Sequence, residues 1–423
     1  MKKKTLIVIG CGGRGSTYAR LAADITKKFD IVGIAEPIKA RRDDIRDKYN
    51  VPENMCFESW EPLLELGKIA DAAVIATMDR DHFDPSMKAI ELGYDILLEK
   101  PVSPIPEECV KLEAAAREKG VSVLICHVLR YTPFFRAVKK VINDGLVGKV
   151  MNIEHLEGVG NIHQSHSFVR GNWGNSEKSS FMLLQKSCHD LDILQWLVDK
   201  KCTRVHSFGN RTYFREENAP EGAPRFCAEG CPVADTCYYN AVKIYLDENC
   251  TGWFRTSATK NPNPTKEDLE KAVRESDYGR CVFRCDNDVV DHQVVNMEFE
   301  DGVLCSFTMS AFNFGGRKLR VMGTKGEIYA EADSPTIKYY SFETKETTEI
   351  NIEDAIASDS ILTGHGGGDS GIINAFYDML DGKVNSELSD ISISVKNHMI
   401  AFAAEKSRLE GRVVELSEFD NIG

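Results

Sequence analysis

Nowhere in this 423-residue sequence is there a run approaching the ~20 apolar residues of a membrane-spanning helix. The basic start Met1-Lys2-Lys3-Lys4 resembles the head of a secretory signal, but the apolar run after it is short and breaks at once into glycines. An excess of positive charge is also missing. Lys and Arg number 52 against 65 Asp and Glu, and a net charge of −13 argues against nucleic acid as a partner. There are no internal repeats and no low-complexity linker. The thirteen cysteines are odd in number and scattered, which fits free thiols rather than a disulfide framework and points to the cytoplasm. What is present, 42% hydrophobic and 28% charged residues, is the composition of a globular protein, and the length calls for two domains.

The most informative stretch is the first. Thr5–Ile9 reads as a buried parallel strand that runs into Gly10-Cys11-Gly12-Gly13-Arg14-Gly15. Gly10 permits the turn, Gly12 lets backbone approach a pyrophosphate, and Gly15 lets the following helix lie close to the strand. That helix offers unpaired N–H groups to phosphate. A second strand, Ile31–Ala35, ends in Glu36, about 20 residues past the glycines, the spacing of an acid that grips ribose hydroxyls. Gly10, Gly12, Gly13, Arg14, Gly15 and Glu36 are therefore candidate dinucleotide contacts. Glu36 favours NAD over NADP, with Arg41 and Arg42 close enough in sequence to soften that preference.

Further strands are expected at Ala72–Ala76, Asp95–Leu98 and Ser122–Ile125, with helices between them that include Met87–Leu92 and Glu107–Lys119. This alternation predicts a doubly wound parallel sheet, whose ligands lie beyond the carboxyl ends of the strands. After a helix at Phe134–Ile142, closed by Gly145, the pattern changes. Strands of period two are expected at Val150–Glu157, Arg204–Gly209, Val289–Phe299, Val303–Ser310, Lys318–Met322 and Thr336–Tyr340, with Asp301-Gly302 as a hairpin turn. The predicted division is residues 1–130 and 131–423. An insertion at about 220–285 carries cysteines, and helices near Gly371–Leu380 and Ser392–Leu409 pack on one of the domains. Asn261–Lys266 reads as an exposed loop.

The glycine motif, Glu36-Pro37, Val74-Ile75-Ala76-Thr77, Leu98-Glu99-Lys100-Pro101 and His189-x-x-Asp192 before Trp196-Leu197 together resemble the Gfo/Idh/MocA oxidoreductase family. The likeness runs through nearly the whole chain in order, and the Glu-Lys-Pro triplet is its most specific piece. It implies an N-terminal Rossmann domain and a C-terminal α+β domain with a large, open, mainly antiparallel sheet. It also implies NAD(P)-linked chemistry on sugars or polyols, and dimers or tetramers formed through that sheet. Thr77, His82, Glu99 and Lys100 fall where relatives line the cofactor. His189 matches the family's active-site histidine.

The chemistry follows from the residue types. Oxidising an alcohol needs a hydride acceptor and a group that takes the hydroxyl proton. Lys100 supplies positive charge to the developing alkoxide, and His189 is the acid/base. Asp192, one turn on, reads as a dipole partner of its helix. Many relatives carry an aspartate four residues before the histidine, whereas this chain has Gln185, with Lys186 beside it. If the stretch is helical, both share a face with His189, so either His189 works with Lys100 alone or Lys186 joins the site. Arg130, Tyr131, Arg170, Trp173, Gln185 and His365 are candidate substrate contacts, suited to clamping hydroxyls or carboxylates and to stacking on a sugar.

Cys227-x3-Cys231-x5-Cys237, with Cys281 some forty residues on, would make a structural zinc site or hold an iron–sulfur cluster. The competing reading is free thiols packed against the sheet. Three functions stay open at this stage. They are NAD-dependent dehydrogenation of a sugar hydroxyl, glycoside cleavage by transient oxidation and hydride return, and non-catalytic dinucleotide sensing.

Overall fold

The computed structural model describes residues 2–247, 249–250, 252–355, 367–383 and 388–422. The first sheet contains β1 (Lys4–Ile9), β2 (Phe29–Ala35), β3 (Cys56–Phe57), β4 (Ala72–Ile75), β5 (Asp95–Leu98) and β6 (Val123–Ile125). Its order is β3-β2-β1-β4-β5-β6, and every pairing is parallel. The crossover from β1 out to β2 and β3, then back to β4, is the doubly wound switch, so the cleft opens beyond the ends of β1 and β4. Leu6, Val8, Val74 and Leu97 on one face and Ile7, Ile9, Ile75 and Leu98 on the other are all buried, as a sheet covered on both sides requires.

The second sheet contains β7 (Val150–Gly158), β8 (Cys202–Asn210), β9 (His292–Phe299), β10 (Leu304–Ser310), β11 (Gly316–Gly323), β12 (Gly326–Glu331), β13 (Thr336–Ser341), β14 (Thr347–Asn351) and β15 (Val414–Glu415). Its order is β14-β13-β12-β11-β7-β10-β9-β8-β15. Only the central β7–β10 pair is parallel. The β9–β10 connection is the expected Asp301-Gly302 turn, with φ of 59° and 75°. β12 and β14 were not legible beforehand, because each alternates weakly and carries charged or polar residues. The expected strand at Val289 begins only at His292, since the chain before it turns to bond Gly174.

Helix Gly368–Leu380 lies on the first sheet. Ile372, Ile373, Phe376 and Tyr377 join the core of Leu6, Tyr18 and Phe29, and the Tyr377 hydroxyl donates to Lys2 O at 2.8 Å. Helix Ile391–Glu410 covers β8 and packs on helix Pro106–Lys119. Among the described residues, no helix is long and apolar enough to cross a membrane.

Candidate active site

The nucleotide side of the cleft is shaped by absent side chains. Gly10 has φ +85°, and a Cβ there would lie 2.5 Å from Ala76 O. A Cβ on Gly15 would lie 1.8 Å from Gly10 O, so helix Gly13–Arg20 can rest on β1 only if residue 15 is glycine. Gly12 and Gly13 are different. A Cβ on Gly13 meets nothing within 4 Å, and one on Gly12 meets only Arg41 Nη1, at 3.6 Å. Their amides head a helix that no side chain caps, which leaves a donor cradle open to phosphate. The Glu36 carboxylate, 3% exposed, accepts from Cys11 N at 2.7 Å and Ile38 N at 2.9 Å, bracing the loop at the end of β2.

Arg14 is used within the protein. Its Nε donates to Glu99 Oε1 at 2.7 Å, and its Nη atoms donate to Asp369 at 2.7 and 3.3 Å. Glu99 also accepts from Tyr18 Oη at 2.6 Å and from Lys100 N at 2.9 Å. Burial alone would raise the Glu99 carboxyl, but Arg14 and Lys100 outweigh it and hold it below its usual value. This brace ties the glycine loop, the end of β5 and helix Gly368–Leu380 together. Asp369 had no signal in the sequence beyond its place in a glycine cluster. Thr77 Oγ1 donates to Asp81 O at 2.9 Å. His82 is buried, its ring nitrogens 2.6 Å from Pro101 O and 3.3 Å from Thr77 O, so it shapes the loop after β4 from beneath.

Lys100 leaves the end of β5 and crosses the cleft, where Nζ donates to Gln185 O at 2.7 Å. The stretch around it is not the continuous helix that was considered. Helix Met182–Gln185 stops, Lys186 takes φ −107°, and a new helix, Cys188–Val198, starts with His189 in its first turn. Gln185, Lys186 and His189 therefore point to different partners. The Gln185 amide accepts from Ser179 Oγ at 2.8 Å and donates to Trp173 O at 2.7 Å. His189 sits edge-on to His127, with ring centroids 5.7 Å apart.

His127 was missed by sequence reading, because a lone histidine after a strand carries no motif. It is fully buried, and neither ring nitrogen has a hydrogen-bond partner among the described residues. Burial first, then Arg130 and Lys100, push its pKa down against the pull of Asp192 and Glu99, which favours the neutral imidazole packed between His189 and His398.

Lys186 enters a chain of buried charge. Its Nζ lies 2.9 Å from Glu157 Oε1, Glu157 Oε2 lies 2.8 Å from Arg317 Nε, and Arg317 donates to Asp190 at 2.8 Å. His155 Nε2 completes it, 2.8 Å from Asp190. Burial would raise the Asp190 carboxyl, but Arg317 and His155 reverse that and hold it well below the usual range. His155 and Glu157 share β7, but Asp190 and Arg317 come from distant stretches of the chain, which is why no motif announced the set.

Two family models cover this architecture. Residues 4–127 match an oxidoreductase family with an NAD-binding Rossmann fold, and residues 135–329 match the GFO/IDH/MocA C-terminal domain. The chain belongs to the Gfo/Idh/MocA family. It is 25% identical over 457 aligned positions to the Bacillus subtilis protein YteT, named an oxidoreductase, covering 98% of this chain and 99% of that one. It is 25% identical over 202 residues to scyllo-inositol 2-dehydrogenase (NAD(+)) of the same organism, covering 48% of this chain and 56% of that one. A 2,7-anhydro-N-acetylneuraminate hydratase of Mediterraneibacter gnavus is 30% identical over 128 residues, covering 30% and 33%. Among solved structures, an Agrobacterium radiobacter oxidoreductase in complex with NAD+, L-tartaric acid and magnesium shares the fold, with a TM-score of 0.70, 13% identity and 99% of each chain covered.

Within this Gfo/Idh/MocA chain, the candidate substrate contacts divide. Trp173 stays at the cleft, half-buried, its Nε1 donating to Asp79 at 3.3 Å. Arg130 instead forms a buried bidentate pair with Asp192, at 2.6 and 2.7 Å, so Asp192 anchors an arginine rather than serving its helix dipole. The Tyr131 hydroxyl accepts from Ser389 N at 3.2 Å. Arg170 is buried and donates to Arg280 O at 2.7 Å and Tyr239 O at 2.5 Å, fastening the inserted segment. His365 lies outside the described residues.

The metal expectation is corrected. Among the described residues, no group of three or more His, Cys, Asp or Glu side chains is placed to hold a metal ion. Cys227, Cys231, Cys237 and Cys281 line a small cavity of about 10 Å³ with Val282 and Phe283; Cys231, Cys237 and Cys281 belong to one local apolar core, and Cys227 packs against a neighbouring one. Burial raises the Cys281 thiol, as for a cysteine packed in an apolar core.

Proposed function

We propose that this chain moves hydride between NAD and a hydroxyl-bearing carbon of a sugar, polyol or sugar derivative. The observation that carries this reading is convergence. Lys100 reaches from the nucleotide side to Gln185 O at 2.7 Å, and His189, four residues further along the chain, packs on the buried His127, whose pKa the Lys100 charge helps to lower. The open amides of Gly12 and Gly13, the glycine-only contact at Gly15 and the acid at Glu36 fit a dinucleotide. Bound there, the nicotinamide supplies the hydride acceptor. Lys100 then stabilises the substrate oxygen as it becomes anionic, and His189 accepts its proton. Lys186, committed to Glu157, orients the wall beside them. Glu36 favours NAD over NADP, and titration of both cofactors checks this. Copies of the chain associate through the open face of the second sheet, where Phe208, Leu304 and Tyr329 are exposed.

A second reading keeps the same residues but returns the hydride, so that a bond is cleaved or hydrated without net redox change. A hydratase among the similar proteins favours it. The presence of both Lys100 and His189 weighs against a cofactor sensor. The test follows absorbance of added NAD with a panel of polyols, sugars and aryl glycosides. Net NADH supports the first reading, and product without NADH supports the second. Lys100→Ala should cost ~2.7–4 kcal/mol in the barrier. His189→Ala should cost roughly 10²–10⁴-fold in rate. NAD affinity should stay within a few-fold in both. If His189→Ala keeps near-normal single-turnover hydride transfer while Lys186→Ala loses it, Lys186 is the base.

A further inference from the structure

Arg130, whose guanidinium holds Asp192, also lines a cavity of about 840 Å³. That volume falls within the ~300–1,000 Å³ of small-molecule sites. The cavity is bordered by helices Pro133–Asn143, Cys188–Val198 and Ile391–Glu410 and by the short turn Leu416–Phe419. Neither Lys100, Gln185, His189 nor any residue of the glycine loop lines it. Helix Ile391–Glu410 serves both places. Asn397 donates to Asp192 and His398 packs on His127, whereas Ile393, Lys396, Met399 and Ile400 line the cavity.

The walls combine apolar surface with positive charge. Met399, Ile400, Leu416 and Phe419 are joined by the half-buried Trp196. Arg130 Cζ lies 5.7 Å and Lys139 Nζ 5.6 Å from the Trp196 ring centroid, so two cations already sit at this indole. Four of the five lining cations have an oxygen to serve. Arg130 holds Asp192, Lys139 donates to Trp196 O at 2.6 Å, and Lys200 and Lys201 face Asp301 at 3.1 Å and Asp420 at 3.8 Å. Asp199 and Glu300 also border the cavity, and Glu300 Oε2 accepts from Lys201 N at 3.3 Å. Lys396 is the exception. It is exposed and has no hydrogen bond or ion pair among the described residues, although Glu113 feels its charge.

We propose that this cavity is a second small-molecule site, for an organic anion with a flat apolar body. The body lies against Trp196, Met399 and Phe419, and the anionic group pairs with Lys396. A neutral ring would gain only the apolar surface, and a cation would meet an excess of positive charge, so charge complementarity selects the anion. The inference is independent of the chemistry assigned to Lys100 and His189.

The test uses the full-length protein in excess NAD, with anilinonaphthalene sulfonate as the probe, a flat anion whose fluorescence rises in apolar surroundings. Lys396 and Lys338 are both exposed, so reversing either charge should leave the fold intact, and Lys338, on β13, lies outside the cavity. The expected result is saturable binding that weakens by roughly tenfold or more in Lys396→Glu and stays near the wild-type value in Lys338→Glu. The uncharged phenylnaphthylamine should bind more weakly than the sulfonate by a similar factor. Equal affinities in wild type and Lys396→Glu, equal losses in both variants, or equal binding of the uncharged dye overturns the anion site, as does the absence of saturable binding. A signal that is lost as protein concentration rises means that a second copy covers the cavity, and overturns it too. The comparison among the three proteins holds whether or not the chain binds NAD.

Discussion

On the nucleotide wall of the cleft, Gly10, Gly12, Gly13 and Gly15 work through missing atoms and lie within one turn of chain. On the facing wall, Glu157, Lys186, Asp190 and Arg317 work through charge and come from two strands, a break between helices and the start of the next helix. The first wall needs little beyond its local backbone. The second exists only once the sheet has formed, because β7 must lie beside β11 before Glu157 and Arg317 can meet. Local construction tolerates no steric error at a few points, whereas long-range construction tolerates no unpaired charge.

The sharpest way to break this comparison is at residue 15. Gly15→Val places a side chain where even a Cβ would stand 1.8 Å from Gly10 O. The loss should exceed about 4 kcal/mol, in the range reserved for overpacking and backbone strain. Gly13→Ala, with nothing within 4 Å of its Cβ, should change stability by less than about 1 kcal/mol. Urea unfolding of both variants checks this, and equal losses would mean that Gly15 is not a packing glycine.

The same contrast explains what could be read in advance. The strands β1, β2, β4, β5 and β6 and the glycine motif are local patterns, and each stood in the sequence within a residue or two of its place. The hairpin at Asp301-Gly302 did too, since its turn chemistry is carried by two adjacent residues. The helix face that Gln185, Lys186 and His189 would have shared does not form, because the chain breaks at Lys186, whose side chain pairs with Glu157 from another strand. Arg130 and Arg170 looked like substrate clamps because an arginine's sequence does not say whether its acceptor is a ligand, a buried Asp192 or a backbone carbonyl. The cysteines misled for the same reason. Spacing brought them round one small cavity, but among the described residues no group of three or more His, Cys, Asp or Glu side chains is placed to hold a metal ion.

A second break is Arg317→Met, which keeps much of the side-chain length and removes the charge. Glu157 and Asp190, both buried, would lose their shared cation. Removing one partner from a buried pair typically costs ~3–5 kcal/mol, and far less when the carboxylates are neutralised with it. Arg317→Met should therefore lose about that much in urea unfolding, and adding Asp190→Asn should recover part of it. A single variant as stable as the wild type would show that the charge chain is not what holds the second wall.

The finest distinction is acid sensitivity. Burial pushes the imidazoles of His163, His166 and His398 down to about 3. For His163 the charges of Lys186 and Arg317 and the neighbouring His166 add to burial, and for His166 Arg170 does. His398 is pushed by burial and His127, against weaker pulls from Ser394 O and Asp192. An unfolded histidine titrates near 6.5. Between 6.5 and 3 the unfolded chain therefore binds protons that the folded chain refuses, and stability is complete above that window and falls as pH drops through it. At pH 5.5 each site should cost about 1.4 kcal/mol relative to pH 7.5. The Glu99 carboxyl on the nucleotide side is held below its usual value and gives way only at lower pH, so in mild acid the buried histidines respond before it. Urea unfolding at pH 7.5 and 5.5, in the wild type and in His398→Gln, measures this. The variant should lose about 1.4 kcal/mol less than the wild type between the two conditions. An equal loss in both proteins would mean that His398 is not neutral in the fold, and the acid response would have to come from elsewhere in the chain.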